Sequence, residues 1–300
     1  VYDAVRAELP AQLEDRASIE CNRIAAYAGE VTPELLGQSR FSASALERYA
    51  ICPFAYFVTD VLGMDSWEAA DEGLDALSAG SIWHEILAAF MMQHRGEKLL
   101  PAALDAYAAD LTVRLDQVVR KKERQGRIVP GIWWQYERPL WQKALRQWLV
   151  AELSRQSGSS ATPQYFEWSF GMATRPDSDA QSTPEPLCIG QDGQRVELQG
   201  KVDRIDADAA ELRVIDYKSG QIPTNKQVQL GVCLQVPVYM MAVQTLLGPE
   251  VYCHEGLYVP VGREGKDFVL PGKKISQEEL MGLTEQYVVQ WAAGIRGGKF

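Results

Sequence analysis

Two spacings of apolar residues divide the chain near Pro163. Before it they recur every three to four positions, the period of a helix buried on one face; after it they alternate with polar residues, as in a half-buried strand. Helices are predicted over residues 1–29, from Ser42 or Ser44 onward, and over 81–94, 99–125 and 136–157. Ser44 and Glu47 have capping-box spacing, and Pro53 should bend or restart the helix they open. Residues 30–40 read as a linker, 65–77 as an acidic loop and 126–135 as a loop carrying Trp133 and Trp134. Strands are predicted over 164–171, 187–190, 195–206, 211–217 and 252–260, with Asp192-Gly193 as a hairpin turn and 173–186 as a polar surface loop. Helices over 226–247 and 277–295 complete the pattern. The expected fold class is α/β: one domain over 41–300 with a mixed sheet of four to five strands flanked by helices, a large helical insertion at about 95–160, and a helical arm and linker over 1–40.

The hairpin of 199–206 and 211–217 carries charge where a buried sheet prefers hydrophobes. Its second strand is strongly apolar (Leu212, Val214, Ile215) yet contains Asp216, and Asp203 interrupts the first. Lys218, two positions after Asp216, shares its face. Buried carboxylates repel unless a proton or cation neutralises them, and hard divalent ions take oxygen ligands, so one reading is a metal site with a lysine beside an activated water. The other reading is two strand-end aspartates with Lys218 in a surface ion pair. Glu167 either adds a carboxylate to the same spot or pairs with a lysine, and the pairing is preferred. His84 is a lone histidine partly ringed by Ile82, Ile86, Leu87 and Phe90, ordinarily a structural setting, although Gly80 permits close backbone approach. His94 and His254 read as structural or exposed. Lys121 to Arg124 (KKER) read as a solvated helix end. Trp133, Trp134, Trp141 and Trp148 read as core rather than base-stacking platforms, and of these Trp133 and Trp134, in a loop, are the ones that could contact unstacked bases.

Four ordered segments carry a resemblance. FSASALERYAICPFAYFVTDVLGM (41–64), GSIWHEIL (80–87), GKVDRID with VIDYKSG (200–206 and 214–220), and LQVPVYMMA (234–242) resemble, in turn, the opening helix, the histidine motif, motifs II and III, and the Q-x-x-x-Y helix of the PD-(D/E)XK nuclease superfamily. The match is to its RecB-like branch, and within that to AddB/RexB-type helicase–nuclease subunits. It implies a restriction-endonuclease-like core and a metal-dependent deoxyribonuclease, an exonuclease on single-stranded DNA ends, in a DNA repair and recombination complex with an AddA-like helicase partner. The implied ligands of one or two Mg2+ or Mn2+ ions are His84, Asp203, Asp216 and the backbone carbonyl of Tyr217. Lys218 would orient the attacking water, and Gln235 and Tyr239 would position DNA or the lysine. The alternative is a catalytically silent DNA-binding or assembly module of the same fold. Relatives carry the first cysteine of a four-cysteine [4Fe–4S] site where Cys52 stands. The other three cysteines are expected beyond Phe300, so a cluster is expected only in a longer chain.

Composition narrows the alternatives. A net charge of −10 over 300 residues argues against a protein that coats DNA and leaves room for a locally basic groove. Five scattered cysteines without a C-x-x-C pair speak against a disulfide framework and suit a reducing cytoplasm. No apolar run reaches the ~20 residues of a membrane span. The first residue, Val1, suggests a piece of a longer protein.

Overall fold

The computed structural model describes residues 40–64, 76–128, 134–173, 178–191, 193–208, 211–248 and 252–300. In chain order these form β1 (Arg40–Ser42), α1 (Ala43–Ile51), α2 (Pro53–Tyr56) running into a π-helical turn (Phe57–Val61), α3 (Ala76–Gln93), α4 (Leu104–Arg124), α5 (Trp134–Ser157), β2 (Thr162–Phe170), β3 (Leu187–Ile189), β4 (Val196–Ala207), β5 (Glu211–Lys218), α6 (Asn225–Gln229), α7 (Gln235–Leu246), β6 (Tyr252–Pro260), β7 (Phe268–Leu270) and α8 (Gln277–Arg296). The arm over 1–39, most of the acidic loop at 65–75, and Cys21, Trp133 and Asp192 lie outside the described residues.

One seven-stranded mixed sheet runs β1-β4-β5-β6-β7, with β2 and β3 also paired to β4. The twelve-residue β4 joins two halves. Its first residues lie between parallel β1 and antiparallel β3, and the remainder pairs with antiparallel β2 and β5. β5 and β6 are parallel and run in register from Glu211↔Tyr252 to Lys218↔Pro260, with a shift after Leu212. The expected four to five strands are corrected to seven. The additions, β1 and β7, have three residues each, too short to display an alternation, whereas β3 falls within the strand expected over 187–190.

Helices cover both faces, so β5 is apolar on each. Val214 and Tyr258 pack beneath α1, α7 and α8 with Leu46, Met240 and Val288, whereas Ile215 and Val259 pack beneath α3, α4 and α5 with Ile86, Leu115 and Leu149. Trp83 stacks on Trp141 at 4.9 Å, and Trp148 is buried. Trp134 begins α5, outside the loop expected, and leans on Trp141 against the core, the preferred reading for it. Lys121 and Lys122 are likewise not a free helix end. Lys121 pairs with Glu85 at 2.5 Å, and buried Lys122 donates to Ser81 Oγ at 2.8 Å.

Several helix boundaries differ from expectation: α3 begins at Ala76 rather than at 81, and α4 at Leu104 rather than at 99. Ser42, not Ser44, caps α1 by accepting the Ala45 N–H, so Ser44 and Glu47 form no capping box. The helix expected over 226–247 is two helices. Gly231 between them adopts φ +66°, and an added Cβ would fall 2.2 Å from the Tyr287 ring. α7 therefore starts afresh at Gln235. Pro53 restarts the first helix after an extended Cys52, as its ring requires. No helix among the described residues is long and apolar enough to cross a membrane.

Candidate active site

The backbone ladder between β4 and β5 runs from Ala207↔Leu212 to Arg204↔Ile215. At its end a side chain continues the connection: Asp203 Oδ2 accepts the Tyr217 N–H at 2.8 Å. The other oxygen, Oδ1, lies 3.0 Å from His84 Nδ1. His84 comes from α3, which lies close to the end of β5; a Cβ on Gly80 would sit 3.1 Å from Ser219 Oγ. Burial alone would lower the His84 pKa, but the charge and hydrogen bond of Asp203, with Asp216 and Glu167 behind, raise it to about 9.

Asp216 is 1% exposed. Lys218 Nζ pairs with its Oδ2 at 3.0 Å, and no other group among the described residues satisfies this buried oxygen. Desolvation pushes the Asp216 carboxyl well above its ordinary range, Lys218 pulls it back, and the charge of Asp203 pushes it further up. Lys218 itself would lose its proton more readily through burial, yet Asp216 and the neighbouring carboxylates raise its pKa above the usual lysine value. It is therefore an ammonium at neutral pH, a donor and not a base. Nζ donates to Gln235 Oε1 at 2.6 Å, and Gln235 Nε2 donates to the Tyr239 hydroxyl at 3.2 Å one turn along α7. The Tyr258 ring lies beneath Nζ, 5.5 Å from centroid to nitrogen.

Glu167 does both things that its sequence position left open. It pairs with Lys201 at 2.5 Å, and its carboxylate, the His84 imidazole and Asp203 place ligand atoms within 4.8 Å of one another. Its φ of +55°, in the middle of a strand, is a backbone state that costs about 1–3 kcal/mol outside glycine and persists where surroundings enforce it. The tightest group of ligand atoms thus contains Glu167 and not Asp216, which joins through its charge. Imidazole nitrogen with carboxylate oxygens suits a hard or borderline divalent ion. The unsatisfied Asp216 oxygen and the repulsion raising its pKa are what an added cation would relieve.

The structure brings His84, Asp203, Asp216, Tyr217, Lys218, Gln235 and Tyr239 to one end of β4 and β5. The Tyr217 side chain points to the opposite face, where Arg204 Nη1 donates to its hydroxyl at 3.2 Å. Cys52 stands apart, half-buried, its N–H donating to Arg48 O. The other free cysteines described, Cys188, Cys233 and Cys253, lie on β3, before α7 and on β6. His94 meets the Phe90 ring at a tilt and the Tyr107 ring edge-on, and His254 faces Glu211 and Glu255.

Residues 40–300 match the sequence pattern of the PD-(D/E)XK nuclease superfamily. The chain belongs to that superfamily. As a PD-(D/E)XK protein it also resembles curated relatives, each of which carries the name of an ATP-dependent helicase/deoxyribonuclease subunit. The relative from Caldanaerobacter subterraneus subsp. tengcongensis is 27% identical over 264 residues, 81% of this chain and 21% of the relative. That from Pelotomaculum thermopropionicum is 30% identical over 215 residues, 67% of this chain and 17% of the relative. That from Clostridioides difficile is 28% identical over 226 residues, 70% and 18% respectively. The chain thus spans about a fifth of the length of the relatives it matches.

Sequence reasoning missed one residue altogether. Glu47, read as part of a local capping box, instead accepts the backbone N–H groups of Leu234 and Gln235 at 2.6 and 2.8 Å. With the partners 187 positions apart in the chain, no local pattern could have shown it.

Proposed function

We propose that this chain is the nuclease region of a helicase–nuclease assembly, hydrolysing DNA phosphodiesters with Mg2+ or Mn2+ and acting as an exonuclease on single-stranded ends delivered by a helicase partner. The observation that carries the proposal is the buried, unsatisfied carboxylate of Asp216 beside the Asp203–His84 pair, with a protonated Lys218 against it. The relatives' name, which joins a helicase to a deoxyribonuclease, supports the substrate and the partner.

His84, Asp203, Asp216 and the Tyr217 carbonyl would hold the cation, with Glu167 as a further carboxylate. Bound there, a divalent ion neutralises phosphate charge and makes water a nucleophile near neutral pH. Lys218, fixed by Gln235, presents its ammonium to the attacking water and to the negative charge that grows on the phosphate. As an ammonium held by Asp216 and Gln235 it orients the water and stabilises charge, while the proton leaving the water would pass to solvent and the departing sugar oxygen would take one from solvent. Tyr239 holds the Gln235 amide so that its oxygen faces Lys218.

End-labelled single- and double-stranded DNA incubated with and without Mn2+ tests this reading. Wild type should shorten single strands from an end only with metal. Lys218→Ala should lower turnover by roughly 10²- to 10⁴-fold while DNA affinity in Ca2+ changes little, as for a group acting in the transition state. A wild-type chain that binds DNA and never cleaves it would favour a silent assembly module, and equal losses of affinity and turnover would make Lys218 a phosphate anchor.

A further inference from the structure

Helix α7 begins without any cap of its own. Its N-cap residue, Leu234, has no side chain able to accept a hydrogen bond, and the break at Gly231 leaves no preceding helical turn to hold the first N–H groups. Such groups fray or must find acceptors elsewhere. Here one carboxylate oxygen from another helix takes two of them: Oε1 of Glu47, on α1, accepts from Leu234 and from Gln235. An anion at this end also suits the helix dipole. Burial raises the Glu47 pKa, and those two N–H bonds, then Lys218, draw it back.

What the cap holds is the residue that holds Lys218. Gln235 is the first residue of α7, so its backbone position depends directly on the Glu47 contact. Its amide oxygen in turn receives the Lys218 ammonium at 2.6 Å. We propose that Glu47 is a positioning residue for the site: by anchoring the start of α7 from α1, it fixes Gln235 and through it the direction of Lys218. The inference rests on the nuclease reading for its consequence in turnover, and on geometry alone for the anchoring. It also explains why the opening helix carries a half-buried acid whose charge is felt by Lys218. α1 is seated by Leu46 and Tyr49 in the core under the sheet, and Tyr49 donates to Lys299 O at 2.7 Å, so the anchor stands on a fixed element.

The test combines Glu47→Ala, Glu47→Gln and Gln235→Ala, each first shown to be folded by thermal unfolding. Glu47→Ala should lower kcat by about 10- to 100-fold, as loss of a supporting contact does, with KM and Mn2+ affinity within about twofold. Glu47→Gln keeps a side-chain oxygen for both N–H groups and should restore turnover to within about threefold of wild type. On a Gln235→Ala background, Glu47→Ala should cost less than about threefold more, because the two act in series. Independently of activity, backbone hydrogen exchange at Leu234 and Gln235 should accelerate in Glu47→Ala, and Lys218 should react faster with an amine-acylating reagent, while protection in β4 and α3 is retained. A purely structural cap would lower the unfolding temperature without separating kcat from KM and without a non-additive cycle. Wild-type turnover in Glu47→Ala, or losses that multiply with Gln235→Ala, overturns the inference, as does unchanged exchange at Leu234 and Gln235. Wild type without cleavage defeats the nuclease reading instead, and exchange and labelling then decide the anchor by themselves.

Discussion

His84 Nδ1 sits against Asp203 with Asp216 and Glu167 close behind, three carboxylates facing Lys201, Lys218 and one imidazole. In the metal-free protein the proton on His84 supplies the missing positive charge, which is why its pKa rises from 6.5 to about 9. A cation ligated by His84 must displace that proton. Mn2+ affinity should therefore fall as pH drops below about 9, by up to about tenfold per pH unit, and flatten above it. Calorimetry at pH 7 in two buffers of different ionisation enthalpy should register about one proton released from His84, plus a further fraction from Asp216, and His84→Asn should remove the first of these. A dissociation constant independent of pH between 6.5 and about 9 would count against His84 as a ligand. Asp216 and Lys218 stood out because charge interrupts the apolar run Leu212, Val214, Ile215, but that pattern left a surface ion pair equally open, and only the resemblance of the ordered motifs singled them out together with Asp203. Glu167 was only half legible, since its left-handed backbone, which a strand pattern cannot express, is what accompanies its contact with both Lys201 and the His84–Asp203 pair.

Among the elements, the break between α6 and α7 matters most, because it makes Gln235 a helix start. The run from 226 to 247 reads through as one helix, since a single glycine weakens such a pattern without ending it. The end comes from tertiary contact: Tyr287 and Trp291 of α8 close over the turn, with Tyr287 donating to Gln229 O and Trp291 Nε1 to Gly231 O. Gly231→Ala combines a left-handed backbone with a Cβ pressed into the Tyr287 ring, and should destabilise the protein by about 1–3 kcal/mol in denaturant unfolding. A neutral result would mean that the turn can refold into a continuous helix. The hairpin of β4 and β5 was readable from its alternation, and α8 because its period and its cap agree. Ser276 and Glu279 do form a capping box at the start of α8, the device that Ser44 and Glu47 only resemble.

Across the whole molecule, a buried ionic cluster binds the helical layer to the reverse side of the strands that carry Asp203 and Asp216. Arg204, fully buried one residue after Asp203, pairs with Asp206 at 2.5 Å and with Glu152 of α5 at 2.7 Å, and Glu152 also pairs with Arg155, which holds Asp267. Removing one partner strands the others, so Glu152→Ala should cost about 3–5 kcal/mol in denaturant unfolding, whereas a loss below about 1 kcal/mol would show that the cluster relaxes. With the scaffold rigid on one face, the charge imbalance on the other is left for a cation. The most direct measurement of that claim is the unfolding temperature of wild type and Asp216→Asn in EDTA and in Mn2+. The ionised Asp216 carboxylate is disfavoured by burial, so in EDTA near neutral pH the variant should be as stable as wild type or more so. Manganese at about 100 times its dissociation constant should stabilise wild type by about 2.7 kcal/mol and leave the variant nearly unmoved. An equal manganese-induced rise in both proteins, or a variant that unfolds well below wild type in EDTA, would contradict a metal centre at Asp216.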